Sequence, residues 1–330
     1  MIAPNLPAEL KTALERKAEG LSRSDAAQQA DAISRNYRSG GGSVVIKTRD
    51  AALAYALARM PATYAAVAAS LNALSEARPD FAPASLLDIG AGPGTATWAA
   101  TEAFATLGEL TLLDANTALR DLAIELADSH SRLAAMRYEL GDARKLLATA
   151  QSSDLVIASY VINELGEAER AALVEAAWDK TRDTLLIVEP GTPAGYARII
   201  ELRARLIAKG AHAIAPCPHD TACPLTAPDW CHFTQRLSRS RVHKHLKGAE
   251  LPYEDEKFSY VALSRLPAAR TAARVLAQPL VTKIAVTAKL CTPEGVEIAT
   301  IPHRDKKTYM RAKKWNWGDS ILSAGTAVPE

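Results

Sequence analysis

The alternation of apolar and polar positions divides the chain into helical and mixed stretches. Residues 7–75 carry helical periodicity. Pro7 to Glu19 reads as a short amphipathic helix, with the proline where a first helical position tolerates it. Ser24 is placed to cap a second helix, with Asp25 near its positive end. Gly40-Gly41-Gly42 reads as a flexible joint. Arg49 to Leu74 is a longer apolar run, and Pro61 is expected to kink or split it.

From residue 84 short apolar runs alternate with helical ones. Strands are expected at Ser85–Ile89, Leu110–Asp114, Met136–Leu140, Asp154–Ser159 and Thr184–Glu189. Helices are expected at Thr95–Thr106, Ala118–Ser129 and Glu167–Lys180. This alternation predicts an α/β fold, a parallel sheet with helices on both faces. Phe258–Leu263, Ile284–Cys291 and Val296–Ile301 read as late antiparallel strands that complete the same sheet. The expected organisation is an N-terminal helical region over residues 1–78 and a Rossmann-like domain over 79–330. Within the latter lie a cysteine-rich insertion at about 210–250 and a basic C-terminal tail over 302–330.

Charge sharpens this division. From residue 217 onward there are 17 Lys+Arg against 11 Asp+Glu, whereas the chain as a whole is only +2. The C-terminal third is therefore the natural face for a polyanion. The first residues show neither a secretory signal nor an Arg- and Ser-rich transit peptide, and no stretch approaches a membrane span. The expectation is a soluble, intracellular protein with no membrane partner.

Candidate chemistry begins at Asp88-Ile89-Gly90-Ala91-Gly92-Pro93-Gly94-Thr95. Glycines between a strand and a helix let the backbone approach a ligand, and the helix start offers free N–H groups. With Asp88 two residues before Gly90, the spacing is closer to the first motif of class I methyltransferases than to a dinucleotide fingerprint. Asp114, ending the second strand, is placed to accept hydrogen bonds from ribose hydroxyls. Asp142 follows the third strand, where this fold commonly meets an adenine amino group, and Ser159 closes the fourth. These residues, with Gly90, Ala91, Gly92 and Gly94, make a candidate S-adenosylmethionine (SAM) site. The fourth strand continues into Tyr160-Val161-Ile162-Asn163-Glu164 rather than the Asn-Pro-Pro-aromatic run of many amino-group methyltransferases, so no catalytic residue is assigned. Asn163 and Glu164 are placed either to orient a substrate or to cap the next helix.

Cys217, Cys223, Cys231 and Cys291 are all the cysteines in the chain. Three thiols on one polar, Pro-punctuated loop are poorly explained as core packing. Paired C-x2-C knuckles of structural zinc are absent. Spacing leaves an iron–sulfur cluster, zinc and free thiols open, with His212, His219 and His232 as alternative ligands. Two basic tracts follow, at residues 235–247 and 304–317, and Tyr309, Trp315 and Trp317 in the second are candidates to stack on unpaired bases.

Taken together, Arg59-Met60-Pro61-Ala62-Thr63-Tyr64-Ala65, the glycine loop, Glu189-Pro190-Gly191-Thr192-Pro193-Ala194-Gly195-Tyr196, the cysteine spacing and Trp317-Gly318-Asp319 carry a resemblance. The chain resembles the methyltransferase-like small-ribosomal-subunit assembly proteins of bacteria and mitochondria. The resemblance implies a class I SAM-dependent methyltransferase sheet, SAM at Gly90–Gly94, and a 4Fe-4S cluster on Cys217, Cys223, Cys231 and Cys291. It further implies the small subunit and its rRNA as partners; with the missing transit peptide the expectation is a bacterial cytoplasmic protein, monomeric away from the ribosome. Rival readings are a catalytically inactive assembly factor and a zinc-containing small-molecule methyltransferase.

Overall fold

The computed structural model describes residues 1–38, 41–128 and 130–322. Gly40 of the expected glycine joint lies outside them. Three helices come first: α1 (Ala8–Ala18), α2 (Arg23–Arg38) and α3 (Arg49–Ala77). The cap of α2 is Ser22 rather than Ser24, because the helix begins two residues earlier than its apolar pattern. Ser22 Oγ accepts the Asp25 N–H at 3.4 Å and its carbonyl accepts the Ala26 N–H at 2.9 Å. The expected split at Pro61 does not occur, and α3 runs on as one helix through it. The reason is burial: Met60, Ala62, Tyr64, Ala65 and Val67 are all in the core. Packing on both sides of the proline offsets the one backbone bond it forfeits.

The main sheet follows in chain order. It comprises β1 (Ser85–Ile89), β2 (Glu109–Asp114), β3 (Arg137–Leu140), β4 (Ser153–Ser159), β5 (Thr181–Pro190), β6 (His212–Ala215), β7 (Phe233–Ser238) and β8 (Tyr253–Ser264). Helices α4 (Thr95–Ala103), α5 (Thr117–Ala127), α6 (Ala143–Thr149), α7 (Glu167–Asp179) and α8 (Pro193–Ile207) alternate with the first strands, and α9 (Arg241–Leu246) precedes β8. Strand order is β3-β2-β1-β4-β5-β8-β6, with β7 also paired to β8. The first five strands are parallel, and β8 is antiparallel to β5. β1 and the centre of β5 are buried on both faces, which is why they read as unbroken apolar runs. This is the Rossmann-like class I methyltransferase sheet that the pattern led us to expect. Order reverses between β1 and β4, so the binding crevice belongs at their carboxyl ends.

The late hairpin does not complete this sheet. β9 (Ala273–Val275), β10 (Leu280–Val281), β11 (Ala285–Thr292), β12 (Gly295–Pro302) and β13 (Ser320–Ile321) form a second sheet, with α10 (Lys306–Ala312) packed on it. The free side of β8 is already taken by β6 and β7, leaving the hairpin no edge there. The second sheet has a small core of its own, split between Ala273, Val275, Ala288 and Leu290 and a group of Val286, Ile301, Tyr309 and Ala312.

Candidate functional site: a glycine pocket and a four-cysteine cavity

Gly90, Gly92 and Gly94 all have left-handed backbones, at φ 67°, 52° and 79°. A Cβ on Gly90 would stand 2.4 Å from Val161 Cγ2, so that position requires glycine on two counts. Two acids hold the turn in place. Asp88 is fully buried, and its Oδ2 accepts the Thr97 N–H at 3.1 Å and the Thr97 hydroxyl at 2.7 Å. Asp88 Oδ1 has no hydrogen-bond partner, and burial drives the carboxyl up to about 7 against the pull of those two bonds. Asp114 Oδ2 accepts the Gly92 N–H at 2.9 Å, and its Oδ1 accepts the Asn116 N–H at 2.7 Å. The Tyr138 hydroxyl donates to the Gly92 carbonyl at 2.7 Å, so Gly92 is held at both ends of its peptide.

The pocket above the turn is lined by Gly90, Ala91, Gly92, Asp114 and Ser159, as expected for a cofactor site at the switch point. Asp88, Gly94 and Asp142 do not line it. Asp142 instead caps α6, accepting the Arg144 N–H at 2.9 Å and pairing with its guanidinium at 3.2 Å. That pairing lowers the Asp142 pKa, and the neighbouring Ala143 meets the pocket in its place. Sequence reasoning missed the roof. Ser43, Tyr55 and Thr63 from the N-terminal region line the pocket, and the Asn116 side chain donates to the carbonyls of Ser43 at 2.8 Å and Ile46 at 3.0 Å. Glu164 also serves the roof, accepting the Ser43 N–H at 3.2 Å.

Tyr160 joins this pocket to a larger cleft. Among the described residues it is the one non-glycine with positive φ, at 55°. Such a backbone costs roughly 1–2 kcal/mol in a residue with a side chain and marks a position held for use. Its hydroxyl donates to Glu256 Oε1 at 2.9 Å. The cleft shares Tyr55, Thr63 and Tyr160 with the pocket and adds Arg59, Asn163 and Arg198. Among the described residues Asn163 Oδ1 is buried there without a hydrogen-bond partner.

The four cysteines meet around a second cavity. Cys217, Cys223 and Cys231 come from the loops that join β6 to β7, and Cys291 comes from β11 of the second sheet. Burial raises the thiols of Cys217 and Cys231, and pushes Cys291 up to about 12. The neighbouring thiols add to the shift in each case. Thiols so placed stay protonated unless a cationic partner draws the protons off. The Tyr196 hydroxyl lies 3.2 Å from Cys223 Sγ, and His219 Nε2 lies 3.6 Å from Cys291 Sγ. Of the three candidate histidines only His219 lines the cavity. His212 faces Asp220 at 3.3 Å, and His232 stacks on Trp230 with ring centroids 4.9 Å apart. Among the described residues no three His, Cys, Asp or Glu side chains sit close enough to hold one metal ion. Four thiols are the donor type that a multi-iron cluster takes, one to each iron.

The two basic tracts part company. In the first, Arg236 is paired to Asp255 at 2.7 Å, and Arg239 and Lys247 are paired to Glu254 at 3.2 and 2.5 Å, whereas Arg241 and Lys244 make no ion pair among the described residues. In the second, Arg304, Lys306, Lys307, Arg311, Lys313 and Lys314 are exposed and make no ion pair among the described residues. Two of its aromatic residues are held by the fold. Tyr309 is buried with its hydroxyl on the Thr282 carbonyl at 2.6 Å, and Trp317 Nε1 donates to the His232 carbonyl at 2.9 Å.

Comparison with known proteins now adds the lineage. The family model described as mitochondrial small ribosomal subunit Rsm22 matches residues 49–322. The chain belongs to the Rsm22 family. This Rsm22-family chain is 29% identical over 293 residues to the human mitochondrial ribosome assembly protein METTL17, covering 83% of the chain and 63% of the relative. It is 30% identical over 192 residues to the mitochondrial Rsm22-cox11 tandem protein 2 of Schizosaccharomyces pombe, covering 52% of the chain and 25% of that protein. The chain thus spans less than two thirds of the relatives it matches. Among solved structures it is similar to the SAM-bound magnesium protoporphyrin IX methyltransferase of Synechocystis, with a TM-score of 0.41 and 13% identity over 62% of this chain and 80% of that one. The expectation of a bacterial cytoplasmic location is corrected by these findings, since the family and both relatives are mitochondrial. No helix among the described residues is long and apolar enough to cross a membrane.

Proposed function

We propose that this protein is a SAM-binding assembly factor of the small ribosomal subunit, with an iron–sulfur cluster on Cys217, Cys223, Cys231 and Cys291. The observation that carries the proposal is the convergence of four thiols from two separate sheets on one cavity. A cluster there supplies a cross-link between the main sheet and the sheet that bears the unpaired cations of residues 304–314. Those cations are the surface for rRNA phosphates. Family membership supports the ribosomal partner, and the glycine turn with its clamped Gly92 supports SAM. The test is anaerobic purification with iron, sulfide and zinc analysis, followed by sedimentation with small subunits. A brown protein with about four irons and four sulfides that co-sediments supports the proposal. Colourless protein with one zinc and no salt-dependent rRNA binding overturns it in favour of a small-molecule methyltransferase.

Methyl transfer to an rRNA base is a second reading, favoured by the cleft that opens beside the SAM pocket through Tyr160. Methyl transfer from a sulfonium needs an aligned acceptor more than an acid or base, and the unpartnered Asn163 Oδ1 offers an acceptor to orient one. Assay of rRNA methylation by the parent and by Asp114→Ala separates the two. An enzyme loses methylation with docking intact; an assembly factor has none to lose.

A further inference from the structure

Two arginines stand in the wall of the cysteine cavity, and nothing in the glycine pocket or the basic surface uses them. Arg203 lies on α8 and is 2% exposed; Arg274 lies on β9 and is 1% exposed. Arg203 occupies a core position of its helix, in register with Ile199, Leu202 and Leu206, where an apolar side chain belongs. Both guanidiniums are hydrogen-bonded to backbone carbonyls. Arg203 donates to Thr221 at 2.9 Å and to His219 at 2.5 Å. Arg274 donates to Pro216 at 3.0 Å and to Gly318 at 2.8 Å. Among the described residues neither has a carboxylate within 4.0 Å, and Glu76 acts on Arg274 only at longer range. Among the described residues Arg203 Nε is buried without a hydrogen-bond partner.

Buried cations without counter-ions are costly, and proteins keep them where an anion completes the site. Carbonyl partners satisfy donors but leave the charge standing. Four thiolates on an oxidised four-iron cluster carry a net charge of about −2, which two guanidiniums match. We propose that Arg203 and Arg274 are the charge-compensating residues of the four-cysteine centre, making its cavity a site for a dianion rather than for a neutral ligand. The assignment rests on the iron–sulfur reading above. Reduction of the centre adds a negative charge, so removing either cation disfavours the reduced form and moves the midpoint potential to more negative values.

The experiment reconstitutes the parent, Arg203→Met, Arg274→Met, Arg274→Lys and Cys223→Ser anaerobically with iron and sulfide. Iron content and the midpoint potential, followed by electron paramagnetic resonance, are then measured. Arg274→Lys keeps the charge and is expected to load as the parent does. Each Met variant is expected either to lose at least half of the bound iron or to load with a more negative potential. Met variants that both load fully and titrate at the parent's potential overturn the assignment. Iron loss in Cys223→Ser beside unchanged Arg variants overturns this assignment alone, whereas a parent that takes up no iron overturns the cluster reading itself. Where a Met variant lacks the parent's far-ultraviolet circular dichroism before loading, Gln replaces Met, keeping a donor to the carbonyls without the charge.

Discussion

Asp114 reaches back from the end of β2 to take the Gly92 N–H at 2.9 Å, and so sets the height of the glycine turn over the sheet. Its other oxygen holds the Asn116 N–H, and Asn116 in turn holds the roof. Asp114→Ala therefore leaves two buried donors unsatisfied and frees the turn. Each lost bond costs on the order of 1–3 kcal/mol. The expected outcome is SAM affinity reduced at least about tenfold, measured by calorimetric titration, while Asp114→Asn keeps part of it.

Gly90→Ala meets Val161 at once and takes up a left-handed backbone at φ 67°. The backbone term alone is roughly 1–2 kcal/mol. Urea unfolding is expected to show at least that loss together with loss of SAM binding. Gly108→Ala, which has nothing within 4 Å of its new Cβ, is the control and should lose no SAM affinity.

Asp88 makes stability depend on pH in a direction opposite to that of a surface carboxylate. Its pKa is raised from 3.8 to about 7, chiefly by burial. Between these values the folded state holds a proton that the unfolded state has released, so this group's contribution falls as pH rises. The slope is about 1.4 kcal/mol per pH unit at most. Urea midpoints at pH 5, 6 and 7 should decline less steeply in Asp88→Asn, whose amide oxygen still accepts from Thr97. Equal slopes in parent and variant refute the effect.

The basic surface should centre on the second tract. Replacing Lys306, Lys307, Arg311, Lys313 and Lys314 by Gln is expected to weaken binding to small-subunit rRNA. It should also flatten the dependence of log affinity on log salt by about 0.7–0.9 for each phosphate contact removed. The same change at Arg236, Arg239 and Lys247 should alter the salt slope little, because their charge is already spent on Asp255 and Glu254.

Trypsin tests the link between the two sheets without any variant. Loaded protein is expected to resist cleavage over Arg304–Lys314, and protein stripped of metal to be cut there several-fold faster. Equal cleavage rates speak against the cross-link.

The parallel half of the fold was legible because β1, β2, β4 and β5 are short, apolar and bounded by turns. The glycine loop was legible because its chemistry is local. What escaped is set by distant pairing. Pro61 reads as a break until the packing around α3 is known, and the β11–β12 hairpin reads as part of the main sheet until β6 and β7 claim the flank of β8. Asp142 sits where a ligand contact was expected, yet Arg144 lies two residues away to take it. Tyr309 and Trp317 look like stacking platforms in sequence, and only the fold turns them inward. Arg203 did leave a local sign, a charge on the apolar stripe of α8, whereas Arg274 on its three-residue strand left none.

Among the described residues the second sheet and α10 carry eight residues in two buried clusters, Ala273, Val275, Ala288, Leu290, Val286, Ile301, Tyr309 and Ala312. A core that small is marginal by itself, and small units of this kind lean on metals or cross-links to persist. Cys291 is the point at which this sheet enters the shared cavity. If the proposed cluster is its keystone, the lifetime of this sheet, and of the basic surface it carries, follows the supply of iron to the newly made chain.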